Sequence, residues 1–78
     1  MDPKKALQRI SNEHHLAEMS WRPMASPHEG YAVIKEELDE LWEEIKNDKG
    51  SPEARADRMR DEACQIAAMA LRFMQDCT

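Results

Sequence analysis

Apolar residues recur at intervals of three and four along most of the chain, which is the spacing of one face of an α-helix. In the first stretch the repeat consists of Leu7, Ile10, His14, Ala17 and Trp21. Asp2 and Pro3 form a helix start, with an acidic N-cap and a proline at the first helical position. Pro23 stops the pattern. We therefore predict a first helix over about residues 3–20.

A second helix has the clearest start signal in the chain. The segment Ser26-Pro27-His28-Glu29 is a capping box with proline at the first helical position. The apolar repeat that follows is widened by Trp42 and consists of Tyr31, Ile34, Leu38, Leu41 and Ile45. Gly50 is a natural residue to follow a helix end. This pattern predicts a helix over about residues 27–48.

A third helix, over about residues 52–76, begins almost at once with a second serine–proline start at Ser51 and Pro52. So short a loop predicts that the second and third helices form an antiparallel hairpin. Between Ala63 and Met74 the only polar residues are Gln65 and Arg72. A helix that is apolar all round is buried on more than one side, so we expect a second subunit to cover one face. The predicted fold is all-α: one domain over residues 1–78, whose hairpin pairs with another copy into a four-helix-bundle core.

Composition narrows the classes of partner. The formal net charge is −5, which argues against a nucleic acid polymer because phosphate binding needs a basic face. No apolar run reaches the roughly 18–20 residues that span a membrane, and the N-terminus lacks the apolar core of a signal peptide. Cys64 and Cys77 lie thirteen residues apart on one predicted helix, too far for an intrachain disulfide. Free thiols suit a reducing compartment, so we expect a cytoplasmic protein.

Clustered acids are the most unusual feature of the second helix. Six of the nine residues from Glu36 to Glu44 are Asp or Glu. Like charges three or four positions apart on a helix each cost about 0.2–0.5 kcal/mol. A solvated acidic surface is one explanation of this run. The other is a divalent cation such as Mg²⁺, the usual partner of clustered carboxylates.

Glu62 falls inside the apolar stripe of the third helix, and a buried carboxylate needs a cationic partner. At 100° per residue it lies between Ile66 and Met69, and Glu37, Glu40 and Glu44 share one flank of the second helix. If the two helices are antiparallel neighbours, these four carboxylates form an acidic pocket. The alternative partners for Glu62 are the nearby bases Arg55 and Arg58.

The spacing of these acids resembles a known family. Glu36-Glu37-x-x-Glu40, followed by Glu62 on the next helix, is similar to the E-E-x-x-E and E-x-x-D motifs of the MazG-like all-α nucleoside triphosphate pyrophosphatases. The resemblance covers about residues 28–76. It implies an Mg²⁺-dependent hydrolase, with Mn²⁺ as an alternative ion, that forms homodimers or homotetramers. Such an enzyme cleaves a nucleoside triphosphate to the monophosphate and pyrophosphate.

Carried onto this chain, the resemblance implies that Glu37, Glu40 and Glu62 are metal ligands and that Glu36 is a fourth catalytic acid. The aspartate of the second motif is replaced by Gln65, which removes one formal charge. Asp61 and Asp76 are the nearest acids that might compensate, although neither has the family spacing. The resemblance also implies phosphate and base contacts.

Candidate residues for those contacts are basic or aromatic. The phosphate candidates are Lys35, Lys46, Arg55, Arg58 and Arg60, of which we select Lys35 and Arg58. Trp21 or Trp42 is the candidate for stacking on the base, with Trp21 selected; simple packing is the alternative role for both tryptophans. His14, His15 and Glu18 have zinc-ligand spacing, but a further ligand is not evident, so we expect surface or stripe histidines there.

Two functions from different classes remain open. The first is the nucleotide pyrophosphohydrolase, and phosphoribosyl-ATP pyrophosphohydrolase is a variant of it without a feature of its own in this chain. The second is a non-catalytic helical oligomer with an acidic partner-binding face, which Gln65 favours. Glu62 favours the enzyme, because a packing module would be more stable with leucine at that position.

Overall fold

Three helices make up the whole molecule. The computed structural model describes residues 1–78 and contains α1 (Pro3–Ser20), α2 (Pro27–Lys46) and α3 (Pro52–Cys77). The predicted all-α class is confirmed, α1 has the predicted bounds, and α3 ends one residue later than expected. None of the three helices contains a stretch long and apolar enough to cross a membrane.

Each helix starts in the same way, with a side-chain oxygen capping a free backbone N–H and a proline at the first position. Asp2 accepts from the Lys4 amide at 2.7 Å, Ser26 from the Glu29 amide at 3.1 Å and Ser51 from the Ala54 amide at 3.0 Å. Such caps contribute about 1 kcal/mol each. Because these signals are local, the helix starts are where the sequence predicted them.

α2 ends at Lys46, two residues before the predicted end. Asn47 already has an extended backbone, and Gly50 takes the left-handed conformation (φ +84°) within the connecting turn instead of directly after the helix. Two arginines of α3 bind the end of α2 and this turn. Arg55 donates to the Ile45 carbonyl at 2.6 Å, and Arg58 donates to the Lys49 carbonyl at 2.9 Å. Cations at this end also suit the helix dipole.

α3 is the central helix, since α1 and α2 both pack against it and do not pack against each other. As residue numbers rise along α2, the residue numbers of its contacts on α3 fall. Gly30 lies next to Phe73 and Glu44 pairs with Arg58, so the predicted antiparallel hairpin is present. Residues of α1 and the following loop meet α3 residues 52 positions later, as in Arg9 with Asp61 and Met24 with Asp76. α1 therefore runs parallel to α3.

The core lies where all three helices approach one another. It consists of Ala17, Met24, Ala68 and Met69, with half-buried Val33, Ile34, Phe73 and Cys77 around it. No large side chain is fully buried. α1 and α2 both pack on α3, and the expectation that a second subunit covers a further face of α3 stays a prediction.

The apolar repeats only partly match the buried faces. On α2 the predicted stripe is wrong for Tyr31 and Leu38, which are 65% and 53% exposed, and Trp42 beside them is 55% exposed. On α1 the same holds for Leu7 and Trp21. α2 instead presents Gly30, Val33 and Glu37 to the interior, together with Ile34, because it is rotated so that Phe73 lies on the glycine.

Gly30→Ala tests this close approach. An added Cβ would lie 2.5 Å from Phe73 Cδ2 and 3.1 Å from Met24 Sδ. Although alanine favours a helix by about 1 kcal/mol, overpacking of this kind costs about 1–3 kcal/mol. We expect urea unfolding followed by circular dichroism to show a net loss of stability of about 1 kcal/mol. A gain in stability would contradict the packing of Phe73 on Gly30.

Candidate functional site

Three carboxylates meet on the α2–α3 interface. Glu37 and Glu40 lie one turn apart on α2, and Glu62 reaches them from α3. One oxygen from each lies within 4.8 Å of the others. Glu37 and Glu62 are half-buried and Glu40 is exposed, so the cluster opens to solvent on one side.

Two oxygens of this cluster are buried without a hydrogen-bond partner, Glu37 Oε2 and Glu62 Oε2. Unpaired buried acceptors normally cost about 1–3 kcal/mol or more when charged. Neither arginine considered as a partner of Glu62 pairs with it: Arg58 binds Glu44 at 2.6 Å, and Arg55 donates to the end of α2. The carboxylate pocket therefore lacks a cation from its own chain.

Burial and mutual repulsion shift the titration of these acids. Burial, followed by the negative charges of Glu40 and Glu62, raises the pKa of the Glu37 carboxyl to about 7. Burial and the proximity of Glu40 also raise the pKa of the Glu62 carboxyl. Both shifts mean that the folded chain resists full ionisation of the cluster.

A groove of about 630 Å³ adjoins the cluster and runs between α1 and α2, with α3 as its floor. Glu36 and Glu37 line one part of it. Its apolar lining comes from Leu16, Ala17, Trp21, Met24, Val33 and Met69. The volume lies within the range of small-molecule sites. Trp21, 68% exposed at the end of α1, presents its ring to this groove.

Gln65 lines the groove one turn after Glu62. The two acids considered as substitutes for the family aspartate are occupied elsewhere. Asp61 pairs with Arg9, and Asp76 accepts from the Met24 amide at 2.9 Å. Neither belongs to the three-carboxylate cluster, so the suggestion that one of them compensates for Gln65 is wrong.

The two predicted phosphate contacts are engaged away from the groove. Lys35 pairs with Asp39 at 3.0 Å on the exposed side of α2. Arg58 is held by Glu44 and by the carbonyls of the α2–α3 turn. Neither lines the groove, so the structure gives Arg58 a role in holding the turn. As substrate ligands both remain sequence predictions.

His14 and His15 do not belong to a group of three or more potential metal ligands. His14 Nε2 lies 3.5 Å from Glu18 Oε1 and 2.5 Å from Gln75 Oε1, while His15 is exposed. The only group of three or more potential metal ligands is the Glu37, Glu40 and Glu62 cluster.

Sequence reasoning missed two residues of the groove. Arg72 is 4% exposed and donates to Glu18 at 3.2 Å and to the Arg22 carbonyl at 2.7 Å, so it holds the end of α1 against α3. In the sequence, Arg72 could have been noticed as the one charged residue of an apolar segment. Glu13 also lines the groove, and its signal was its place three residues after Ile10 and four before Ala17, on the inward face.

Stability of the metal-free protein should fall as pH rises through the titration of this cluster. With a folded pKa of Glu37 near 7 against an unfolded value of 4.5, the unfolded chain releases its proton first. The destabilisation is absent below about pH 4.5 and complete above about pH 7. We expect Glu37→Gln to raise the melting temperature at pH 8 and to leave it unchanged at pH 4. Asp48→Asn, an exposed position outside the cluster, should show no such pH-dependent gain.

Comparison of the chain with protein-family models, with curated proteins and with solved structures gives no match.

Proposed function

We propose that the protein is an Mg²⁺-dependent nucleoside triphosphate pyrophosphohydrolase of the MazG-like kind, releasing a nucleoside monophosphate and pyrophosphate. The observation that carries the proposal is the pair of buried, unpartnered oxygens on Glu37 and Glu62, two neighbouring acids contributed by different helices. A packing interface would gain stability from apolar residues at these positions. Acidic residues at these positions are instead suited to binding a cation.

The three carboxylates fit a small hard cation. Two oxygens bound to one Mg²⁺ lie no more than about 4.2 Å apart, given bonds of 2.0–2.1 Å. The present spread of up to 4.8 Å closes with small side-chain rotations. Glu37, Glu40 and Glu62 would hold the ion, and Mn²⁺ suits the same oxygen ligands.

The residues of the chain itself would position the substrate and exclude water. A bound ion would supply charge neutralisation and orientation for the triphosphate. Glu36 lies on the groove side of α2 with its carboxylate free, where it can orient a water molecule for attack on phosphorus. The apolar groove next to it shields the nucleoside from water. The free thiols of Cys64 and Cys77 suit a cytoplasmic location for this reaction.

The proposal is tested by incubating the protein with each of the common nucleoside triphosphates and measuring pyrophosphate release with Mg²⁺, Mn²⁺ or EDTA. We expect release only with metal. Glu62→Gln should lower it about 100-fold or more, since loss of a direct ligand exceeds the 10–100-fold effect of outer-shell changes. Glu53→Gln makes the same substitution at an exposed position of α3 and should leave release unchanged.

A second readout is independent of turnover. Saturating Mg²⁺ should raise the melting temperature of the protein, by an amount equivalent to about 2.7 kcal/mol at 100 times the dissociation constant, and Glu62→Gln should abolish the rise. If neither release nor stabilisation occurs, the acidic surface binds a protein partner instead and the proposed activity is wrong.

We further propose that the chain forms a homo-oligomer through α2. Its accessible surface is 5643 Å², against about 4,900 Å² expected for a compact monomer of 9.1 kDa. The excess of about 700 Å² is close to the 800 Å² that each partner contributes to a standard interface. Tyr31, Leu38, Trp42 and Ile45 form a continuous exposed apolar face on α2, which would pair with its copy to complete a four-helix core.

Leu38→Lys tests this face. The lysine replaces a half-exposed side chain beside clustered acids, so the single chain should remain folded, whereas a buried lysine in the interface would be costly. We expect the wild-type protein to sediment as a dimer or tetramer and Leu38→Lys as a monomer. Met19→Lys, on the exposed side of α1, is the matched control. A monomeric wild-type protein would contradict the proposal.

A further inference from the structure

The groove between α1 and α2 carries hydrogen-bonding groups that the fold does not use. Glu13 of α1 and Gln65 of α3 both line it. They belong to two helices that pack together, and both side chains border the same groove. Neither makes a hydrogen bond or an ion pair within the chain.

Other polar groups of the groove are already paired. Arg22 binds Glu29 at 3.1 Å, and Arg72 binds Glu18 and a backbone carbonyl. The free charges that remain, on Glu13, Glu36 and Glu37, are all negative. A triphosphate would be repelled here unless a cation intervened, so the phosphates belong at the carboxylate cluster. The rest of the groove suits a neutral group that donates hydrogen bonds.

We propose that this groove holds the nucleoside and that Glu13 and Gln65 select guanine. This inference rests on the proposed function, since it names the substrate class of the same site. Guanine presents two adjacent donors on its Watson–Crick edge, N1–H and the N2 amino group, which match the two oxygens of one carboxylate. Its O6 accepts from the Gln65 amide.

The other bases fit this pair less well. Adenine and cytosine each place one amino donor next to a ring acceptor, and uracil places a single donor between two carbonyl acceptors. A carboxylate would then face an acceptor, which leaves an unpaired and repelled group in a partly apolar site. The exposed ring of Trp21 at the groove can stack on the base, whichever base is bound.

Binding of nucleosides in EDTA tests the inference without metal, turnover or a phosphate group that the carboxylates would repel. Isothermal titration with guanosine, deoxyguanosine, adenosine, cytidine and uridine should show guanosine and deoxyguanosine binding at least about 10-fold more tightly than the others, as expected for one bidentate pair. Glu13→Gln keeps the shape of the side chain and should abolish this preference while circular dichroism stays unchanged. Glu53→Gln, outside the groove, should retain it.

The outcomes separate this inference from the proposed function. Equal affinity for all five nucleosides, or no binding of guanosine, would overturn guanine selection. Each of these could occur with normal pyrophosphate release. Guanine-selective binding without metal-dependent pyrophosphate release would support the inference and overturn the proposed reaction.

Discussion

The packing of two helices onto α3 is the constraint on which the rest of the molecule depends. α1 and α2 contact α3 and not each other, so the space between them becomes a groove floored by α3. The core that holds this arrangement is small, with four buried apolar residues, Ala17, Met24, Ala68 and Met69. Alanine and glycine at the contacts allow close approach, as where Phe73 lies on Gly30. The groove is thus a consequence of topology.

Unfavourable electrostatics are concentrated at one place in this packing. Helix capping, the Arg72 network and the arginines at the end of α2 satisfy most polar groups with partners from the same chain. Three buried side-chain atoms lack a partner: Arg55 Nε, and the Oε2 atoms of Glu37 and Glu62 in the carboxylate cluster. The raised pKa of Glu37 reflects the cost there. A fold this small has little stability to offset such repulsion. That cost is the physical basis for placing a cation there.

The exposed apolar face of α2 is the surface through which self-association is proposed. The face of α2 that carries Tyr31, Leu38 and Trp42 is apolar but turned away from α3. An adjacent side of the same helix, about 100° around its axis, presents Glu37 to the carboxylate cluster. α2 would therefore serve two interfaces, one with its own α3 and one with another copy. Pairing of subunits would rigidify the helix that supplies two of the three carboxylates.

The sequence by itself determined the three helices, their starts and the hairpin, because capping boxes, prolines and short loops act within a few residues. It also indicated Glu62 as an acid in an apolar stripe, and the acidic run of α2. Only the tertiary structure decided which face of α2 is buried, since both Leu38 and Val33 are apolar and the close contact of Phe73 with Gly30 sets the rotation. It alone placed Glu13 and Gln65 along the same groove and engaged Arg58 in the turn, because these arrangements join residues of different helices whose relative register no local pattern encodes.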